Sequence, residues 1–97
     1  MFRHCVLMRF APSADESRRT AVAEGIRNLA DTIPEVQAIC VGPDAGIRDD
    51  NFDLAAVVDF DDRDAYSVYA THPSHVELLT DLVAPILIER AAVQFEI

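Results

Sequence analysis

Positive charge is scarce in this sequence. Lys and Arg number 8 against 17 Asp and Glu, giving a formal charge of -9 and an isoelectric point near 4.5. Neutralising a phosphate backbone needs clustered cations, so the composition argues against nucleic acid as a partner and against anionic membrane surfaces. No apolar run approaches the ~20 residues of a membrane span. Glycine is sparse too: Gly25, Gly42 and Gly46 are scattered and build no phosphate-cradling loop. Two cysteines cannot supply a four-ligand structural zinc site, and the histidines are wrongly spaced for a zinc finger. At the N-terminus Arg3, His4 and Arg9 interrupt the apolar run that a secretory signal needs, which makes the cytoplasm the expected location.

What is present is a patterned chain. Its 97 residues are expected to form a single domain, 1–97, burying about 64% of the unfolded surface, and the 51% hydrophobic content argues against disorder. Residues 2–10 alternate, with Phe2, His4, Val6, Met8 and Phe10 on one face and Cys5 and Leu7 between Arg3 and Arg9 on the other. Ser13 and Glu16 have capping-box spacing, and Val22, Ile26, Leu29, Ala30 and Ile33 follow as an amphipathic stripe ended by Pro34. A short strand over 36–41, a polar loop over 43–51 and a second alternating strand over 52–60 come next. Asp61 or Asp62 can cap the next helix, which breaks at Pro73 and resumes with Val76, Leu79, Leu82 and Val83 up to Pro85. Ala91, Val93, Phe95 and Ile97 alternate in a last strand.

The order βαββαβ predicts an α+β, ferredoxin-like, split-βαβ fold: a four-stranded antiparallel sheet with both helices on one face. The other face would leave Cys5, Leu7, Ala55 and Val57 in water, which a homodimer packed sheet to sheet would cover. The first strand would then lie between the third and fourth, so Cys5 and Cys40 are not neighbours and an intrachain disulfide is not expected. Both thiols are expected to behave as small buried hydrophobes.

The segment Tyr69-Ala70-Thr71-His72-Pro73-Ser74-His75 concentrates the polar candidates. Pro73 forces His72 out of helical geometry, so the helix should end near Thr71 and restart at Pro73. His75, in the first turn of the restarted helix, is either a proton donor and acceptor near neutral pH or a packing and capping residue. His4, in the bulky stripe, should face the same side and needs a hydrogen-bond partner or a water. The Tyr69 hydroxyl could orient a carbonyl or fill the core, and Tyr66 is expected to pack on Phe10 or Phe60. His72 and His75 are three apart, but the proline between them spoils a metal pair and no third ligand is evident. No metal or organic cofactor is expected. The pairs Asp49-Asp50 and Asp61-Asp62 read as a solvated loop and a helix cap.

The segments Phe2-Arg3-His4-Cys5-Val6-Leu7-Met8-Arg9-Phe10, Phe52-Asp53-Leu54-Ala55-Ala56-Val57-Val58-Asp59-Phe60 and Tyr69-Ala70-Thr71-His72-Pro73-Ser74-His75 together resemble the stress-responsive A/B-barrel (Dabb) family. The resemblance implies a dimeric α+β barrel. That family includes a cofactor-free polyketide cyclase, and its motif would place a general base on His75, its tyrosine partner on Tyr69 and a further pocket histidine on His4. Where the cyclase has another tyrosine and another histidine, this chain has Ile26 and Leu54, so the resemblance implies a greasier pocket. Ile26, Leu54, Tyr66 and His72 are the positions expected to contact a small apolar carbonyl substrate. The alternatives are a non-catalytic, stress-associated structural dimer and, by fold analogy, a cofactor-free monooxygenase. A cavity of at least ~300 Å³ shared by His4, Tyr69 and His75 would favour the ligand-binding reading.

Overall fold

The structure, a computed structural model, describes residues 1–97. Strand β1 (Phe2–Phe10) buries its even-numbered residues, as the alternation predicts. Helix α1 (Glu16–Thr32) buries Val22, Ile26 and Leu29, with Ile33 buried just past its end; Ala30 is exposed and lies outside the stripe. The helix is capped by Asp15, which accepts from the Arg18 amide at 2.9 Å, and not by the Ser13–Glu16 pair. The cause is a preceding turn, closed by the Ala14 amide on the Ala11 carbonyl at 2.9 Å. Arg19 pins that turn by donating to the carbonyls of Ala14 and Ala11, so Ser13 lies within it.

Strand β2 (Ala38–Pro43) begins two residues later than expected, because the Val36 amide closes a turn on the Ile33 carbonyl. Strand β3 (Leu54–Phe60) also begins two residues late. Phe52 instead packs beneath the Arg9 guanidinium, 4.3 Å from its ring centre. Helix α2 (Arg63–Thr71) is capped by Asp62, and α3 (Pro73–Leu78) restarts at the proline. A π-helical turn, Leu79–Val83, continues α3, with the Ala84 amide bonded five residues back to the Leu79 carbonyl at 2.8 Å. The extra residue shifts the stripe: Leu78 and Val83 are buried, whereas Val76 and Leu82 are exposed.

Strand β4 (Leu87–Glu96) starts four residues before the expected Ala91. It pairs antiparallel with β1 along that strand's whole length, from Phe10↔Leu87 to Phe2↔Glu96, with one irregularity at Arg9/Phe10. The sheet order is β2-β3-β1-β4, every neighbouring pair antiparallel, which is the ferredoxin-like arrangement. Seventeen buried hydrophobic residues form one core between the even-numbered sheet face and the helices. Phe60 is fully buried there, and truncating such a side chain to alanine costs roughly 3–5 kcal/mol. At Gly25 the helices come so close that a Cβ would stand 2.6 Å from the tip of Leu78.

The opposite sheet face carries no helix. Leu7, Val93 and Phe95 are exposed on it, and Arg3 crosses to Asp59 through two hydrogen bonds of 2.7 and 2.9 Å. Cys5 and Cys40 both register against Val57, from opposite sides, so they lie about two strand spacings or ~9–10 Å apart, too far for a disulfide. Both are free, and Cys40 is exposed rather than buried because it belongs to this uncovered face. Since Asp15 and not Ser13 caps α1, Asp15→Ala is expected to lower stability by about 1 kcal/mol. Ser13→Ala should stay within about 0.5 kcal/mol of the parent, with urea unfolding midpoints deciding between the two.

Candidate functional site

Between α2, α3, the π-helical turn and the sheet lies a cavity of about 240 Å³. It falls short of the ~300 Å³ expected of a ligand site, so the size does not by itself favour ligand binding and leaves room only for a small compound. Its lining is mostly hydrophobic, and it brings together His4, Ile26, Tyr66, Tyr69 and His75 from the predicted set. Two predicted positions lie outside it. Leu54 is buried at the start of β3, opposite Met8, and faces the groove beside Phe10 and Asp53. His72 is occupied as a helix cap, its Nδ1 accepting from the Ser74 amide at 3.1 Å.

That cap determines how His75 is held. In an unbroken helix the Ser74 amide would bond the Ala70 carbonyl. Pro73 sets His72 at φ -62° and ψ 136°, the Ser74 amide turns to the His72 ring, and Ala70 receives His75 Nδ1 instead, at 3.0 Å. A carbonyl only accepts, so Nδ1 carries the proton and Nε2 keeps its lone pair. Nε2 makes no protein hydrogen bond. The imidazole rests against Tyr69, ring centres 4.4 Å apart, so the orienting hydrogen bond comes from the backbone while the tyrosine supports the ring by contact. Burial lowers the His75 pKa, opposed by the Ala70 bond and assisted by the Arg90 and His72 charges.

His4 is buried, with Nδ1 2.8 Å from the Gln94 amide nitrogen. With the amide so oriented Nδ1 accepts, and Nε2–H is the edge without a protein partner. Desolvation, with smaller contributions from Arg90 and His75, lowers its pKa to about 4, so the ring is neutral at pH 7. Tyr69 is buried and its hydroxyl bonds no protein atom, yet no fully buried side-chain polar atom in the molecule is unpaired. The hydroxyl therefore meets accessible space, and the cavity is what the residue lines. Burial, reinforced by Tyr66 and opposed by Arg90, raises its pKa to about 12, which keeps it a neutral donor. Tyr66 packs edge-on to Phe60 at 5.7 Å, as expected. No three His, Cys, Asp or Glu side chains are grouped to hold a metal ion.

Two residues of the site escaped the sequence reading, Gln94 and Arg90. Both sit on the helix-facing side of β4, opposite His4 and Met8. Extending the alternation back from Ala92 and Gln94 to Arg90 would have found them.

A ferredoxin-like α+β domain that holds two neutral histidines and a tyrosine in an apolar cavity is the class defined so far. The chain matches the stress responsive A/B barrel domain over residues 2–97 and belongs to that family. It is 27% identical over 88 residues to a stress-response A/B barrel domain-containing protein of Arabidopsis thaliana, At5g22580, covering 88% of this chain and 77% of that one. A solved dimeric ferredoxin-like protein of unknown function from Thermobifida fusca YX is 33% identical and superposes with a TM-score of 0.89, over 99% of this chain and 90% of that one. The fold alone is shared with two enzymes. A hydroxynitrile lyase from Passiflora edulis is 20% identical, with a TM-score of 0.86 over 99% of this chain and 92% of its own. An antibiotic biosynthesis monooxygenase is 13% identical, with a TM-score of 0.76 over 100% of this chain and 98% of its own.

The depressed His4 and His75 pKa values carry a stability signature. Between pH 6.5 and about 4 the unfolded chain binds a proton at His4 that the folded chain does not, and His75, lowered in the same direction, adds to the fall in stability as pH drops below 6.5. The Asp59 carboxylate, its pKa lowered chiefly by the Arg3 hydrogen bond, loses its contribution only below the ordinary 3.8. His4 alone is expected to account for about 2–3 kcal/mol of the loss. His4→Gln should flatten the profile of urea midpoint against pH over that range; an unchanged slope would mean that His4 is not held neutral.

Proposed function

We propose that this chain, acting as one domain, is a homodimeric acid–base catalyst that uses no metal or organic cofactor. His75 removes a proton from the carbon next to the carbonyl of a small, largely apolar compound. The observation that carries the reading is the His75 ring: its Nδ1–H is committed to Ala70, which leaves the Nε2 lone pair on a ring lining an apolar cavity. In the step, the C–H bond breaks, the proton joins Nε2, and the electron pair moves onto the carbonyl oxygen as an enolate. Tyr69, a neutral hydroxyl without a protein partner, donates to that oxygen, and His4 offers Nε2–H from the sheet side. Ile26 and Tyr66 shape the apolar wall. The kinship to polyketide cyclases that the motif implies belongs to this reading, and the hydroxynitrile lyase of the same fold is an enzyme with which it is consistent.

The dimer is proposed to form through the helix-free sheet face, where Leu7, Val93 and Phe95 would otherwise stay in water. Two free thiols suit a reducing compartment such as the cytoplasm. A second reading, a non-catalytic stress-associated dimer, draws on the Gln94–His4 bond, which gives the buried histidine a structural partner. The monooxygenase alternative has only the shared fold behind it.

Against a panel of small carbonyl compounds scored by exchange of the acidic proton for deuterium, His75→Gln is expected to lower turnover at least ~100-fold with the fold intact. Full turnover in that variant would remove His75 from the mechanism, and a large fall in melting temperature without loss of exchange would favour the structural reading. For the dimer, Val93→Glu should give a monomer in sedimentation velocity, because it buries a charge at the centre of the proposed interface. A dimer that persists would place the interface elsewhere.

A further inference from the structure

The eight cations of this chain are all arginines. Five are paired with carboxylates: Arg3 with Asp59, Arg9 with Glu89, Arg19 with Asp53, Arg48 with Asp50 and Arg63 with Glu96. Arg27 donates to the Val41 carbonyl at 3.1 Å. Arg18 and Arg90 make neither an ion pair nor a side-chain hydrogen bond, and they differ in place. Arg18 is exposed in the first turn of α1, whereas Arg90 lines the cavity alongside His4, Tyr69 and His75.

The register of β4 puts it there. Met8↔Arg90 and His4↔Gln94 are cross-strand pairs, so Arg90 and Gln94 share the sheet face that looks toward the helices. Arg90 is exposed while the cavity behind it is apolar, which makes it a charge at the mouth rather than within. Its field reaches the site: after burial, the main cause, the Arg90 charge contributes to lowering the pKa of both His4 and His75 and acts against the rise at Tyr69. No carboxylate lines the cavity to meet it, although the chain has seventeen. A planar fork of unused donors at the rim of an apolar hollow complements a ligand that brings its own anion.

We propose that the cavity takes a small compound with an apolar body and a carboxylate, and that Arg90 pairs with the carboxylate at the mouth while the body fills the space below. This rests on the reading of the cavity as a ligand site and narrows it: the substrate is an apolar oxo acid rather than a neutral ketone. Arg90 selects the charge of the ligand, and His75 and Tyr69 act on the part of it that lies deeper.

The test compares two probes of equal shape and different charge, hexanoate and hexanamide, titrated into isotope-labelled protein near pH 7.5 and followed by amide chemical shifts. The wild-type chain is expected to bind hexanoate roughly fivefold more tightly than hexanamide. That preference should shrink as ionic strength rises from about 20 to about 300 mM. In Arg90→Gln it should fall within about twofold, with hexanamide affinity unchanged, and Arg90→Lys should restore part of it. Equal binding of the two probes by wild type, or a preference that survives Arg90→Gln, overturns the assignment to Arg90 and leaves the ligand cavity standing. Binding of neither probe by wild type overturns the cavity reading and the proposal with it. Because the Arg90 side chain makes no hydrogen bond or ion pair in the fold, the Arg90→Gln spectrum should match wild type away from the cavity.

Discussion

One missing amide hydrogen organises the site. Pro73 cannot donate, and its ring drives His72 into extended geometry, so the helical ladder is interrupted at a fixed point. Two of the groups released by the interruption find new partners within the same turn. The Ser74 amide takes the His72 ring, and the Ala70 carbonyl takes His75. The second exchange fixes the tautomer of a ring that would otherwise be free to choose one. The backbone of α2 thus supplies, across the break, what a carboxylate supplies in many acid–base sites.

Much of this was legible in the chain. The alternation over 2–10 gave the inward face of β1, including His4, and the Tyr-x-x-His-Pro-x-His segment gave the break and the residues around it. The failures have physical causes. Ser13 has the spacing of a cap, but a turn pinned by Arg19 consumes it, and no local pattern reports that long reach. In β4 the bulky set Val93 and Phe95 faces away from the helices, while Arg90, Ala92 and Gln94 face toward them. A reading that assigns the apolar set to the core therefore picks the wrong side at the place where the core is hollow. Arg90 was missed because the strand is expected to begin only at Ala91, and Gln94 because the alternation by itself assigns neither set to a face.

The electrostatics follow a simple division. In a chain of strongly negative charge, carboxylates pair with arginines around the outside, at Asp59, Glu89, Asp53, Asp50 and Glu96. None reaches the cavity. Both histidines and the tyrosine inside are consequently neutral, kept so by desolvation rather than by a counter-charge. A neutral interior costs little to empty of water.

The π-helical turn at Leu79–Val83 gives this hollow a particular kind of adjustability. Leu79, Val83 and Ala84 all line the cavity, and the turn holds one residue more than an α-helix would place there. Removing that residue would turn the side chains at the end of the turn, Val83 and Ala84, by roughly 100° about the helix axis, since each residue of an α-helix advances it by that angle. The dimensions of the chamber are therefore governed by residue count as well as by side-chain bulk.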